Sequence, residues 1–320
     1  MKAACYLPGG RIVVQDVPEP ALPPGGLLVR TEACGLCSGE LMAWYMEQKA
    51  PHVLGHEVAG IVVESADARY PVGSRVAPHH HAACLECEEC RRGNYVFCEQ
   101  WKRTHLVPGG MTEKFAVPAE NLTDAKSVGE MRAVDGALIE PLGCVVKSVR
   151  RAGLTGGERC AVIGLGVMGL MHLLLLGGDA VGYELAAGRR EWAANLGLDA
   201  RAPHELAGKA DAVFMCPGTA AALRFALDIA APGATIVLFA PFPPGETTSL
   251  DLGALYFRDY TLVNSYSCGP VDTDGAYDAV KDGRVTADKV VSHFIDLDDL
   301  PTAYADMKAG RILKAMVVAG

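Results

Sequence analysis

Residues 159–169 read Arg-Cys-Ala-Val-Ile-Gly-Leu-Gly-Val-Met-Gly, a short apolar run that leads into three closely spaced glycines. The first glycine permits a tight turn, the second lets a pyrophosphate approach the backbone at a helix N-terminus, and the third lets helix and strand pack closely. This pattern alone is a weak signal. A second β-rich run, however, ends in Glu184, about twenty residues beyond the first glycine, where a dinucleotide fold places its ribose-binding acid. The stretch therefore predicts a Rossmann-type nucleotide-binding domain.

The chain beyond this stretch alternates between helical and β-rich patterns. Helices are predicted at 187–196 and 220–230, and strands at 211–216, 234–240 and 260–265. Strands that alternate with helices form a parallel, doubly wound sheet. We therefore expect residues 146–267 to form one α/β domain.

The predicted dinucleotide site combines the glycine turn with two side chains that follow the second strand. Glu184 would accept hydrogen bonds from the adenosine ribose, which favours NAD over NADP because a carboxylate repels the 2′-phosphate. Arg189 and Arg190, a little further along, keep NADP binding open as an alternative, although at this offset they could equally lie on a solvated helix face. The residues predicted to contact the cofactor are Gly164, Gly166, Val167, Met168, Gly169, Glu184 and Arg189.

The chain before this domain has a different pattern. Short β-rich runs up to about residue 65 are separated by Pro and Gly, as in Pro23-Pro-Gly-Gly26, and such breakers between strands indicate a small, irregular β-barrel. The C-terminal residues are expected to return to it, because the parallel sheet is already complete without them. The predicted β domain therefore comprises residues 1–145 and 268–320.

Four cysteines with regular spacing form the strongest local signal. The segment reads Cys84-x2-Cys87-x2-Cys90-x7-Cys98. Each two-residue gap turns the chain sharply, so the four thiolates can surround one tetrahedral Zn²⁺. Since such a set leaves no coordination position open, we expect a structural zinc lobe at about residues 82–100.

A second set of ligand-type residues lies earlier in the chain. Cys37 precedes His56 and Glu57, and a thiolate, an imidazole and a carboxylate suit an open zinc site. The alternative is an ordinary buried thiol next to a solvated pair, because cysteine is often buried without a metal. The run His79-His80-His81 could supply a base or a ligand, and His81 is the most interesting of the three.

Composition limits the classes of function. A chain of 320 residues with 50% hydrophobic and 21% charged residues is typical of a globular protein of two domains. Its formal charge of −9 argues against nucleic acid or an anionic membrane as a partner. We see no secretory signal pattern and no apolar run long enough to span a bilayer, so a cytoplasmic location is expected. The eleven cysteines then favour metal binding over disulfides.

Taken together, these motifs resemble the zinc-dependent medium-chain dehydrogenase/reductase family, and within it the branch of sorbitol, threonine and related polyol dehydrogenases. The resemblance implies a GroES-like β-barrel catalytic domain joined to the Rossmann domain, with one catalytic and one structural zinc per chain, NAD as cofactor and a homodimer or homotetramer. Cys37, His56 and Glu57 match the catalytic zinc site, and Glu140, in the stretch Gly136-Ala-Leu-Ile-Glu-Pro-Leu142, matches the acid at its remaining position. The implied reaction oxidises a secondary alcohol of a polyol, sugar or cyclitol to the ketone.

The chain departs from the family pattern at the proton relay. Gly39 stands where the family has a Ser or Thr that relays the proton of the alcohol. Ser38, Tyr45, Glu140 or a water molecule is therefore expected to take that role, with the more distant His79 to His81 as further candidates. Glu40 replaces the Asp that usually supports the site.

These departures keep other functions open. His81 matches a histidine of the threonine branch, so an amino-alcohol or simple-alcohol dehydrogenase is an alternative. The missing relay hydroxyl also allows a non-catalytic protein that binds NAD or a metabolite on the same fold. A zinc-free reductase is disfavoured because the cysteine, histidine and glutamate of the metal site are all present.

Overall fold

A computed structural model describes residues 1–319. Contacts between Cα atoms divide the chain into two units, one of residues 1–143 with the chain from Cys268 onward, the other of residues 144–267. The first boundary thus falls after residue 143, where the sequence suggested 145, and the second falls after residue 267. We call these the catalytic unit and the nucleotide unit.

Strands predominate in the first part of the chain, and helices alternate with strands in the middle part. The strands are β1 (Lys2–Leu7), β2 (Arg11–Asp16), β3 (Leu27–Gly35), β4 (His52–Val53), β5 (Glu57–Ser65), β6 (Arg75–Pro78), β7 (Lys114–Val117), β8 (Ala125–Ser127), β9 (Cys160–Ile163), β10 (Val181–Tyr183), β11 (Asp199–Arg201), β12 (Ala210–Met215), β13 (Ala230–Leu238), β14 (Thr261–Asn264), β15 (His293–Ile295) and β16 (Ala315–Val318). The α-helices are α1 (Ala43–Met46), α2 (Glu88–Arg91), α3 (Glu99–Arg103), α4 (Ala133–Gly136), α5 (Ile139–Arg151), α6 (Val167–Leu176), α7 (Ala187–Asn195), α8 (Ala220–Ile229), α9 (Leu252–Phe257), α10 (Pro270–Lys281), α11 (Ala287–Val290) and α12 (Leu300–Lys308). Short 3-10 helices cover Ser38–Leu41, Tyr95–Phe97, Ala119–Asp124 and Leu297–Asp299.

The nucleotide unit is a parallel sheet of six strands in the order β11-β10-β9-β12-β13-β14. Every neighbouring pair in this sheet is parallel, and the order reverses next to β9, as it does in a doubly wound dinucleotide fold. Its buried core is rich in small and branched side chains such as Ala226, Val213 and Ile236. The predicted α/β class is therefore confirmed, although the short strand β11 and the helix α9 were not predicted.

The catalytic unit consists mainly of antiparallel strands. One sheet has the order β15-β16-β3-β5-β6-β8, with β7 also paired to β3, and a smaller sheet has the order β2-β1-β4. Tyr6, Leu27 and Phe115 are fully buried in its core. Strand β16 pairs with β3, so that Met316 lies opposite Gly35. This pairing places the C-terminal strand in the same sheet as β3.

Among residues 1–319, no helix has both the length and the apolar character needed to cross a bilayer.

Candidate metal and nucleotide sites

The first metal site forms where β3 ends and β5 begins. Gly35 pairs with Glu57 across these strands, so the chain leaving β3 brings Cys37 close to the start of β5. Gly55, at φ +97°, forms the turn before His56, and a Cβ atom there would collide with the backbone of Met111. The ligand atoms of Cys37, His56 and Glu57 consequently lie within 4.8 Å of one another.

Glu40 is buried and holds this site in shape. One of its carboxylate oxygens accepts from the backbone N–H of Gly55 at 2.8 Å and lies 3.4 Å from His56 Nδ1, and the other accepts from the N–H of Cys37 at 3.2 Å. Burial alone would raise the pKa of Glu40. His56 and the two backbone donors have the larger combined effect, so the pKa lies below its usual value. A carboxylate that holds one ring nitrogen of a histidine orients the other nitrogen toward a metal.

The ionisation of the donor groups is coupled. Burial raises the pKa of the Cys37 thiol, while the neighbouring His56 opposes this rise. Burial alone would lower the pKa of His56, but Cys37 and Glu40 outweigh it and raise the pKa well above its usual value. One thiolate, one imidazole and one carboxylate suit Zn²⁺, so the residues present fit the metal that the sequence implies.

A buried lysine, which sequence reasoning missed, completes the surroundings of Glu57. Lys314 Nζ forms an ion pair with Glu57 Oε2 and donates to the carbonyl oxygen of Leu36 at 3.2 Å. The side chains of Lys314 and Glu57 are 0% and 1% exposed. Burial alone would lower the pKa of Lys314. The neighbouring Glu57 has the larger effect, so the pKa lies above its usual value. No local signal could have found this pair, because its members are 257 positions apart.

Glu140 lies beside this set and not within it. Its carboxylate groups with His79 and His80, whose ligand atoms lie within 4.8 Å of it and of each other. Burial raises the pKa of Glu140, although His56 and His79 oppose the rise. The structure therefore brings together three of the four predicted ligands. It places the fourth with His79 and His80, two members of a histidine run in which the sequence favoured His81.

The remaining predicted side chains have simpler surroundings. Ser38 is half-buried at the start of the 3-10 helix Ser38–Leu41, and the N–H of Gly39 donates to Cys37 Sγ at 3.3 Å. His81 Nδ1 lies 2.8 Å from the carbonyl oxygen of Thr104, and its ring lies 4.0 Å from that of Trp101. His81 thus packs on the lobe, and it is His79 and His80 that face the acid.

The four-cysteine lobe forms as a compact cluster. The sulfur atoms of Cys84, Cys87, Cys90 and Cys98 lie within 4.8 Å of one another. The N–H of Cys84 donates to Cys98 Sγ at 3.4 Å. Although burial raises the pKa of Cys98, backbone donors lower it to about 6. A lowered thiol pKa favours the thiolate that a zinc ion needs.

The predicted nucleotide site is assembled around the turn between β9 and α6. A Cβ atom on Gly169 would overlap the carbonyl oxygen of Gly164, which explains why the third position of the glycine turn has to be glycine. The carboxylate of Glu184, 8% exposed, accepts from the backbone N–H groups of Leu165 at 2.8 Å and Ala186 at 2.9 Å. Arg189 Nη1 lies 3.8 Å from Glu184 Oε2. Contact of these residues with a dinucleotide stays a prediction.

Comparison with known proteins agrees with this arrangement. Residues 23–127 match the model of the alcohol dehydrogenase GroES-like domain. D-altritol 5-dehydrogenase of Agrobacterium fabrum is 30% identical to the chain, over 94% of each sequence. The chain belongs to the zinc-dependent medium-chain dehydrogenase/reductase family. It is therefore an oxidoreductase.

Solved structures share its fold along the whole chain. A candidate zinc-binding dehydrogenase from Sinorhizobium meliloti, crystallised with NADP, is 27% identical with a TM-score of 0.88, over 99% of each chain. The 2R,3R-butanediol dehydrogenase of Bacillus subtilis is 24% identical with a TM-score of 0.86, over 100% of this chain and 99% of that one. At that identity the second likeness concerns the fold alone.

Proposed function

We propose that the protein is a zinc- and NAD-dependent dehydrogenase that oxidises a secondary alcohol of a polyol, sugar or cyclitol to the ketone. The convergence of Cys37, His56 and Glu57 within 4.8 Å is the observation that carries this proposal. The polyol class is supported by the name of the Agrobacterium relative, a D-altritol 5-dehydrogenase.

The residues of the site have distinct roles in this reaction. Cys37, His56 and Glu57 would hold Zn²⁺, and Glu140, which lies beside this set, would serve the remaining position either directly or through a water molecule. When bound, Zn²⁺ polarises the substrate oxygen and lowers the pKa of the alcohol, and NAD⁺ accepts the hydride. Glu40 fixes the ring of His56, and Lys314 balances the charge of Glu57.

The proton of the alcohol needs a route that does not use position 39. Gly39 has no hydroxyl group, so we assign the first acceptor to Ser38, at the start of the neighbouring 3-10 helix, or to the carboxylate of Glu140.

The choice of cofactor depends on Glu184. A buried carboxylate at this position favours the free ribose hydroxyls of NAD. Arg189 is close enough to take part in cofactor binding, and the Sinorhizobium structure contains NADP. We therefore propose a preference for NAD that is not absolute.

The wider setting follows from the family and the composition. We propose two zinc ions per chain for the reaction and the lobe, a homodimer or homotetramer, and a cytoplasmic location. The formal charge of −9 is consistent with a small-molecule substrate and with no nucleic acid or membrane partner.

A rate screen tests this function. NAD⁺ reduction is measured with polyols, sugars, cyclitols, threonine and simple alcohols, for the native protein and for Cys37→Ser. We expect turnover with a polyhydroxylated alcohol and a loss of about 1,000-fold in Cys37→Ser, because metal polarisation is worth several kcal/mol. Cys5→Ser, which changes a buried thiol of β1, serves as the control and should keep its activity. A protein that carries both zincs yet reduces no NAD⁺ on this panel would contradict the proposal.

A further inference from the structure

A second cluster of metal-ligand side chains lies beside the Cys37, His56 and Glu57 set. His79 Nε2 lies 3.8 Å from Glu140 Oε1, and His80 Nδ1 lies 3.7 Å from the same oxygen. The side chains of His79, His80 and Glu140 are 2%, 20% and 9% exposed. Two imidazoles and one carboxylate form a ligand set that first-row divalent metals accept.

One atom of this cluster lacks a partner. His80 Nδ1 is buried and has no hydrogen-bond partner within residues 1–319. Leaving a buried polar atom unsatisfied costs about 1–3 kcal/mol. An ion bound between the two imidazoles and the carboxylate would satisfy this nitrogen.

His79 has the orientation of a metal ligand. Its Nδ1 lies 2.9 Å from Asp124 Oδ2, and Asp124 Oδ1 accepts from Thr273 Oγ1 at 2.5 Å. A histidine that binds a metal usually donates its other ring nitrogen to a carboxylate in this way. The amide of Asn121 donates to the backbone carbonyls of both His79 and His80 at 2.9 Å, which fixes the backbone that carries the two rings.

We propose that His79, His80 and one carboxylate oxygen of Glu140, Oε1, bind a further divalent transition-metal ion, with Zn²⁺ as its probe. The other oxygen of Glu140 stays available to the first zinc. Metal–nitrogen and metal–oxygen bonds near 2.1 Å place tetrahedral ligand atoms roughly 3.4 Å apart, so the distances around Glu140 need to shorten by only a few tenths of an ångström. The rings of His56 and His80 lie 4.6 Å apart, which makes this position a neighbour of the first set. The proposed ligands include no thiolate, unlike the Cys37 and four-cysteine sets, although Cys268 Sγ lies 3.6 Å from His79 Nε2.

Metal content tests the proposal directly. The full chain is dialysed against Zn²⁺ and then against metal-free buffer, and its zinc content is measured without substrate or NAD. We expect three zinc ions per chain in the native protein and two in His80→Ala. His204→Ala, which removes an exposed histidine of the nucleotide unit, should keep three. Two ions in the native protein, or three in His80→Ala, would overturn the proposal.

Asp124→Asn provides a second test in case His80→Ala disturbs folding. This change keeps the shape of the side chain and removes the charge behind His79. The third ion should bind about 10- to 100-fold more weakly, while the other two are unaffected. An unchanged affinity for the third ion would contradict the inference. Because the readout is metal binding, its failure is distinct from failure of the proposed dehydrogenase activity.

Discussion

The two units of the chain bury charged groups to different extents. Within the described residues, the catalytic unit buries seven charged side chains, namely Glu40, Glu57, Asp124, Asp135, Glu140, Asp272 and Lys314. In the nucleotide unit, the corresponding residues within 144–267 are Lys147 and Glu184. Burying a charge is expensive unless a counter-charge or an ion compensates it. The catalytic unit therefore has more buried charge that a counter-charge or an ion must compensate than the nucleotide unit has.

We expect the largest difference between the two units when the four-cysteine lobe loses its zinc ion. Binding of a structural Zn²⁺ supplies about 10 kcal/mol of folding free energy, and Cys90→Ser removes one of its four ligands. We expect hydrogen exchange in the lobe, residues 84–98, to lose protection, while β9 and β12 in the nucleotide unit keep theirs.

Cys160→Ser is the matched control, because it changes a buried thiol in β9 that lies outside the metal clusters. It should leave the zinc content unchanged. Equal loss of protection in both units of Cys90→Ser would show that the nucleotide unit also depends on the lobe ion.

Lys314→Met should have the next largest effect. It leaves the buried carboxylate of Glu57 without its counter-charge, and breaking a buried ion pair in this way costs about 3–5 kcal/mol. Urea unfolding of the chelator-treated protein measures this loss, which should be smaller when Zn²⁺ is bound because the ion also compensates Glu57. Lys281→Met, at an exposed position, should change stability by no more than about 0.5 kcal/mol. A similar loss in both variants would mean that the burial of Lys314 has no special role.

The contrast between local and distant pairings also explains what the sequence could predict. The four-cysteine lobe and the glycine turn are each encoded within a short interval, so their spacing identifies them without knowledge of the fold. The alternation of helices and strands likewise predicted the parallel sheet. The short strand β11 was missed because Asp199-Ala-Arg201 has little β-forming pattern and gains its structure by pairing with β10.

The catalytic unit was harder to predict because its site is built by long-range packing. The sequence identified Cys37, His56 and Glu57 but not Lys314, which reaches Glu57 only through the pairing of β16 with β3. The sequence also contains three adjacent histidines, of which His81 was the favoured candidate for a base or a metal ligand. Which ring of such a run faces a buried acid depends on the backbone direction after β6, and no periodicity reports that direction.

The buried histidine of the nucleotide unit provides a test of smaller effect. His172 Nδ1 lies 2.8 Å from the carbonyl oxygen of Met168, and Nε2 lies 2.6 Å from Ser148 Oγ. Burial lowers the pKa of His172 to about 4, from about 6.5 in an unfolded chain. Between these values the unfolded state binds more protons, so stability falls as the pH is lowered from 6.5 to 4. The loss amounts to about 3 kcal/mol.

His172→Gln removes the titrating group and keeps one donor and one acceptor. The free energy of unfolding of both proteins is measured with urea from pH 7 to pH 4, at the same zinc concentration. The difference between the native protein and His172→Gln should change by about 3 kcal/mol over this range. Acid release of the metals affects both proteins alike. If the two pH profiles run parallel, His172 is not the group that makes the nucleotide unit sensitive to acid.

The smallest effect is expected at Glu184, where charge and backbone support can be separated. Glu184→Gln keeps a side chain of the same shape that can still accept from Leu165 or Ala186, but it removes the negative charge that disfavours NADP. The ratio of NADP to NAD affinity should therefore rise about tenfold, or about 1.4 kcal/mol, as measured by fluorescence titration of both reduced cofactors. Glu191→Gln, on the exposed part of α7, should leave the ratio unchanged. Equal weakening of both cofactors in Glu184→Gln would instead mean that Glu184 acts by supporting the glycine turn, and that cofactor choice is made elsewhere in the nucleotide unit.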